Sequence, residues 1–185
     1  MTERAKHGAS YDDVLAAPDD KIAEVVSGDL YLSPRPAIPH ARVLSALGAD
    51  LHDAFDRGRT GPGGWWILHE PELHLFGDVL VPDLAGWRHS TLPELPDAPA
   101  FTIRPDWVCE VLSPSTAQFD RTQKAPRYAL AEVGYLWLVD LVAHRLEVYA
   151  RSGSDWIRLE SHAGDAIVSA APFEAAAIAL ERIWA

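Results

Sequence analysis

Apolar positions along this chain change period several times, and each change marks an element. Ser10-Tyr-Asp-Asp13 has the form of a helix start, with Ser10 as N-cap and Asp13 three residues on, and the helix stops near Pro18. The stretch IAEVVSGDLYL (22–32) alternates on both sides of Ser27-Gly28, which predicts a hairpin. SPRPAIP follows as an extended linker. Leu44, Leu47, Leu51 and Phe55 then recur at helical spacing and predict an amphipathic helix ending by Gly58. Strand patterns dominate the rest: WWILHE, ELHLF, DVLVPDLAGW, WVCEVLSP, YLWLVD, RLEVYA, DWIRLE and AIVSA. They are interrupted by a Pro-rich loop, TLPELPDAPAF, by one more helical stretch from Thr116 to Gly134, and by a C-terminal segment in which Leu180, Ile183 and Trp184 dock. The pattern predicts an α+β fold, a strand-rich mixed sheet flanked by two main helices, rather than a doubly wound one.

Composition narrows this picture. A chain of 185 residues with 48% hydrophobic and 23% charged residues suits one globular domain, read as residues 10–185 behind a tail of residues 1–9. No apolar run approaches the length of a membrane span, and no secretory leader is visible. The lone Cys109 excludes an internal disulfide and a multi-cysteine zinc site, and a reducing cytoplasm fits. The formal net charge of −11 argues against a strong non-specific grip on nucleic acid, yet fits a carboxylate-rich site that holds a divalent cation. The seven Trp are most simply packing residues.

The chemistry concentrates in three stretches. Glu110 sits inside WVCEVL, a run that otherwise reads as a buried strand. An ionised carboxylate there requires a cation, a proton or a cleft at the strand's end. In DVLVPDLAGW, alternation places Val79, Val81 and Asp83 on one face, so Asp83 is a second acid on an apolar strand. If the two strands are neighbours, the carboxylates meet at one end of the sheet, and a proton or a metal must separate them. Asp120, Lys124 and Tyr128, spaced by four, share a helix face. The plain alternatives are an Asp83 that ends a turn or pairs with Arg, a Glu110 in a buried salt bridge and a solvated Lys124.

These stretches together carry a resemblance. Pro82-Asp83 followed by Glu110-Val111 resembles the PD-(D/E)XK nuclease superfamily. AEVVSGDLYLSP, HARVLSALGADL, VLVPDLAGW, RPDWVCEVLSPST and DRTQKAPRYALAEVGYLWLVD more closely resemble the Uma-two family of restriction endonucleases. The resemblance implies a restriction-endonuclease-like core with extra β-hairpins, and catalysis by Asp83, Glu110 and Lys124. It also implies Mg²⁺ (or Mn²⁺) on Asp83, Glu110 and the Val111 backbone carbonyl, DNA as substrate and a homodimer. In the wider superfamily the lysine stands two residues after the second acid. Leu112 occupies that place here, and the family pattern supplies Lys124 from the next helix instead. Glu24 and His40 match a family glutamate and histidine; with Asp120 and Tyr128 they are possible supporting residues. Pro126 departs from an uninterrupted helix, which then either starts late, near Thr122, or kinks, and either change displaces Lys124. The function expected is a metal-dependent endonuclease. The alternative is a catalytically silent nuclease-fold domain that serves as a dimeric binding or regulatory protein, and hydrolysis of a small phosphoester is a third reading.

Overall fold

The structure, a computed structural model, describes residues 1–184. In chain order its elements are β1 (Glu3–His7), α1 (Tyr11–Leu15), β2 (Lys21–Val26), β3 (Asp29–Pro34), α2 (Ile38–Leu51), β4 (Trp65–His69), β5 (Leu73–Leu75), β6 (Asp78–Leu80), β7 (Leu84–Arg88) and β8 (Trp107–Leu112). There follow α3 (Ala117–Phe119), α4 (Ala125–Leu130), β9 (Tyr135–Asp140), β10 (Arg145–Ser152), β11 (Asp155–Ala163), β12 (Ile167–Val168), β13 (Ile178–Ala179) and α5 (Glu181–Trp184). Two π-helical turns, His52–Asp56 and Asp120–Lys124, extend α2 and join α3 to α4.

The strands form a six-stranded sheet in the order β11-β10-β9-β8-β7-β4, a five-stranded sheet in the order β1-β3-β2-β6-β5 and the small pair β12-β13. Only β8 and β9 run parallel within the large sheet, joined through the α3–α4 crossover. Both faces of the large sheet are covered, which is why β8 is buried along its whole length and reads as a continuous apolar run. Trp107, Cys109 and Val111 face one core with α2 and the C-terminal segment. Val108 and Leu112 face the other, with Tyr128, Val133 and the strands β5 and β6. Cys109 is therefore a core residue, on the face opposite Glu110.

Local chemistry accounts for the elements that matter below. Ser27 and Gly28 both have positive φ, 54° and 81°, the type I′ geometry that matches the twist of a two-residue hairpin. Val43, Leu44, Leu47 and Leu51 form the buried stripe of α2, continued by Ala54 and Phe55 in the π-helical turn. Phe173 stands edge-on to Trp107 and Trp137, with ring centroids 4.9 and 5.5 Å away, and locks the C-terminal segment against the sheet.

Two expectations change. Residues 1–9 are not only a tail: Glu3–His7 pairs antiparallel with β3 as an exposed edge strand. DVLVPDLAGW is not one strand either. Pro82 cannot donate to a ladder, and the chain leaves the five-stranded sheet after Leu80 and enters the six-stranded sheet at Leu84. Asp83 lies in this crossing rather than on a continuous strand face.

Gly86, in the middle of β7, is kept free of a side chain by packing. A Cβ there would come within 3.0 Å of Ile67 Cδ1, 3.2 Å of Trp107 and 3.3 Å of Trp65. All three neighbours are buried. Gly86→Ala is therefore expected to destabilise the fold by about 1–3 kcal/mol through overpacking. An unchanged midpoint in urea unfolding would show that the tryptophans yield without cost.

Candidate active site

The β7–β8 register brings the two acids together. Leu84 pairs with Cys109 in this antiparallel ladder, so Asp83 and Glu110 stand next to each other at its end. The Asp83 Oδ2 accepts the Val111 N–H at 2.7 Å and lies 3.2 Å from His40 Nε2, in the first turn of α2. Glu110 lines the same cavity and meets a second set of partners. Its Oε1 accepts from Tyr128 Oη at 2.6 Å and lies 2.9 Å from Lys124 Nζ. The ammonium is also 2.9 Å from Glu24 Oε1 and donates to the Val81 carbonyl at 2.9 Å. Glu24 in turn accepts the Val81 N–H at 2.8 Å. Lys124 and Glu24 thus grip both polar groups of one residue in the crossing between the sheets, and hold that crossing where Asp83 follows.

Lys124 reaches this position because of a π-helical turn. The Ala125 N–H bonds the carbonyl of Asp120, five residues back, and Pro126 falls in the first turn of α4, where a missing N–H costs little. The helix neither starts late nor loses the lysine. Lys124 and Tyr128 both meet Glu110, and Asp120 lines the same cavity. That cavity, about 340 Å³, has a floor of Glu24, Asp83, Glu110, Asp120 and Lys124, with His40 at its side. Arg121 and Arg127, the other basic residues near Lys124, are paired with Glu147 and Asp78.

Burial sets the electrostatics. Glu24, Glu110, Asp120 and Lys124 are each 4% exposed or less. Desolvation pushes the Glu110 carboxyl well above its usual range; Lys124 opposes this, and Asp120, Asp83 and Glu24 reinforce it. Burial raises Asp120 to about 7, again against Lys124 and with Asp83. For Lys124, burial alone would lower the pKa, but Glu110 and Glu24 raise it well above the ordinary value, so the ammonium stays charged. His40 is raised because its hydrogen bond to Asp83 and the nearby acids outweigh its burial. One ammonium stands among four carboxylates, and the excess negative charge must be met by protons or by a cation.

The donor set fits a hard divalent cation. Among the described residues, Asp83 Oδ1 and Glu110 Oε2 accept no hydrogen bond, and neither is sealed from solvent. They offer the two carboxylate oxygens that Mg²⁺ commonly takes alongside water and phosphate. Among the described residues, no group of three or more Asp, Glu, His or Cys side chains is arranged to hold a metal ion, so any cation would rest on these two oxygens with backbone and water.

Sequence reading missed Arg35 and the backbone of Val81. Arg35 lines the cavity mouth, and the one signal for it was its place between two prolines in SPRPAIP, where the chain is stiff. The Val81 contacts had no signal, because they depend on two sheets meeting.

Among described residues, no helix is long and apolar enough to cross a membrane. No curated protein matches the chain. The crystal structure of a putative nuclease belonging to DUF820 from Anabaena variabilis ATCC 29413 has the same fold, with a TM-score of 0.76 at 20% identity over 95% of this chain and 97% of that one. The restriction-endonuclease-like architecture, a mixed sheet flanked by helices, is shared between them. The family profile of Uma2, described as "Putative restriction endonuclease", matches residues 9–181. With nearly the whole chain inside that match, and Glu24, His40, Asp83, Glu110 and Lys124 gathered around one cavity, the protein belongs to the Uma2 family.

Proposed function

We propose that the protein is a metal-dependent endonuclease that hydrolyses DNA phosphodiester bonds at the Asp83–Glu110–Lys124 site. Family membership supports nuclease function in general. The observation that carries the finer reading is a buried ammonium 2.9 Å from Glu110, in one cavity with Asp83. Asp83, Glu110 and the Val111 carbonyl would hold Mg²⁺ or Mn²⁺, which supplies a Lewis acid for the phosphoryl oxygens and a more acidic bound water. Water adds to phosphorus as the bond to the leaving oxygen breaks, the proton it sheds passes through solvent to that oxygen, and Lys124 Nζ would donate a hydrogen bond to the oxygen on which negative charge develops. Tyr128 fixes the Glu110 carboxylate, Glu24 fixes Lys124, and His40 orients Asp83.

The same contacts favour a second reading. An ammonium has three donors, and those of Lys124 already face Val81, Glu24 and Glu110. A phosphate oxygen or water reaches Lys124 only when Glu110 turns toward a cation. A chain in which that never happens is a catalytically silent, dimeric binding or regulatory domain.

Incubation of supercoiled, linear and single-stranded DNA with Mn²⁺ separates the two. Cutting is expected to require the metal, to fall only shallowly with added salt because few basic side chains neutralise the phosphates, and to vanish in Glu110→Gln purified in parallel. A preparation that cuts none of these substrates supports the silent domain. Binding of the cation is tested without catalysis. At a hundredfold excess over its Kd, Mg²⁺ or Mn²⁺ should stabilise the fold by about 2.7 kcal/mol. Asp83→Asn and Glu110→Gln should each abolish the rise in Tm. An equal rise in all three proteins would place the cation elsewhere.

A further inference from the structure

We infer that strand β1 is a clasp across the rim of the cavity: Thr2, at its end, ties together two segments of the lining, and release of the strand opens the site to a nucleic-acid strand. What enters rests on the nuclease reading; the clasp itself does not.

The rim draws on two stretches far apart in sequence. Residues 33–36 form the end of β3 and its exit, and residues 113–116 follow the end of β8. Both reach the surface, through the exposed Arg35 and Pro114. Thr2 joins them. Its Oγ1 lies 2.9 Å from Ser33 Oγ, and its N–H donates to the Ser115 carbonyl at 3.1 Å. Among the described residues, no hydrogen bond or ion pair links the two stretches directly. Away from the rim the same layers are fastened firmly. Tyr31 of β3 packs on Phe119 of α3 with ring centroids 4.7 Å apart, and Lys124 binds both Glu24 and Glu110.

The strand that carries Thr2 is built to let go. All five residues of β1 are exposed, so it buries no apolar side chain. It pairs on one side only, with β3, through a register shift between Arg4 and Lys6. Beyond that ladder it is held by surface pairs, Arg4 and His7 with Asp29 and Lys6 with Asp13. Such pairs contribute little and are screened by salt. A segment with few buried contacts opens locally at a free energy far below that of global unfolding.

The rim also bears on the chemistry beneath it. Residues 113–116 follow directly on Glu110, Val111 and Leu112, and the Thr116 carbonyl accepts the Asp120 N–H at 2.9 Å. The closed cavity, about 340 Å³, has the volume of a small-molecule pocket. A strand that continues on both sides of its scissile phosphate needs an open cleft instead. The two stretches that Thr2 joins must part to form one.

Thr2→Pro removes the N–H and the hydroxyl together at a position just outside β1, and Thr2→Ser keeps both. In hydrogen exchange, the Thr116 and Ala117 amides, which bond the Ser113 carbonyl, should exchange about tenfold faster or more in Thr2→Pro. Amides of β2 and β8 should keep their wild-type rates, and Thr2→Ser should match the wild type throughout. An unchanged loop rate overturns the clasp, and so does a rise shared equally by β2 and β8, which is general destabilisation. The second measurement is stopped-flow anisotropy of a fluorescein-labelled single-stranded oligonucleotide in Ca²⁺. The strand should associate faster with Thr2→Pro than with the wild type or Thr2→Ser. A Thr2 that only shapes the cavity wall predicts the opposite sign, so association that is slower or unchanged overturns the gate. If neither the wild type nor Thr2→Pro binds the strand, the nuclease reading fails, and hydrogen exchange alone decides the clasp.

Discussion

Lys124→Ala is expected to remove both stability and cleavage. The substitution leaves Glu24 and Glu110 facing each other, both 2% exposed, with no cation between them. Breaking a buried ion pair from one side typically costs about 3–5 kcal/mol. It also frees the Val81 carbonyl from its donor, so the crossing that carries Asp83 loosens. Removing a preorganised donor from a developing negative charge lowers the rate by about 10²–10³-fold, or about 2.7–4 kcal/mol of transition-state stabilisation. The two effects are separable. Urea unfolding reads the first, and cleavage at low temperature, on protein shown folded by circular dichroism, reads the second. Adding Leu112→Lys to this background should restore part of the rate, because Leu112 and Glu110 share a face of β8. A Lys124→Ala protein that is as stable as the wild type would show that the two glutamates simply share a proton. One that cuts DNA at the wild-type rate would leave Lys124 a structural charge.

The second large effect is an unusual response to acid. Asp120 carries a folded-state pKa of about 7 against an ordinary 3.8. Between those values the folded protein holds a proton that the unfolded chain has released, so proton binding favours folding. The gain is complete below pH ~4 and is lost as pH rises through about 7, and a shift of this size corresponds to a few kcal/mol. Glu110 is raised for the same reason and adds to it, and His40, also raised, adds in the same direction. His69 is lowered by burial and works the other way, as do Asp13 and Asp29, whose hydrogen bonds to Lys6 and His7 lower them. In EDTA the protein should therefore gain stability on going from pH 8 to pH 5, where most proteins gain little. Asp120→Asn should flatten that slope. A slope unchanged in Asp120→Asn would assign it to Glu110 or His40 instead. If Asp120 and Glu110 face a bound cation, saturating Mg²⁺ should replace the protons and flatten the slope as well.

The parts of this protein that were legible in the sequence are those with local causes. The Ser27-Gly28 hairpin, the apolar stripe Leu44, Leu47, Leu51 and Phe55 and the buried strand around Glu110 follow from turn geometry and period, and the structure contains all of them. The neighbouring of Asp83 and Glu110 was a conditional expectation, fulfilled by the β7–β8 register. Pro82 was visible, but its consequence was not. A proline says that a ladder is interrupted, and it does not say that the chain changes sheets there. Pro126 likewise suggested a displaced lysine, whereas a π-helical turn absorbs it, since i→i+5 bonding leaves no local sequence signature.

By itself, then, the sequence determined the fold class, because periodicity and turn chemistry are written in neighbouring residues, and its resemblance to the Uma-two stretches pointed to the family and to Asp83, Glu110 and Lys124 as candidate site residues. Only the tertiary structure decided that Glu24 and Glu110 share Lys124, that Val81 is held from both sides and that Arg121 and Arg127 are spent on other acids. Those facts depend on contacts between residues up to 100 positions apart along the chain, Glu24 and Lys124 among them. The free energy of a buried charge is set by which groups are brought within about 3–4 Å of it, and no local pattern records that distance.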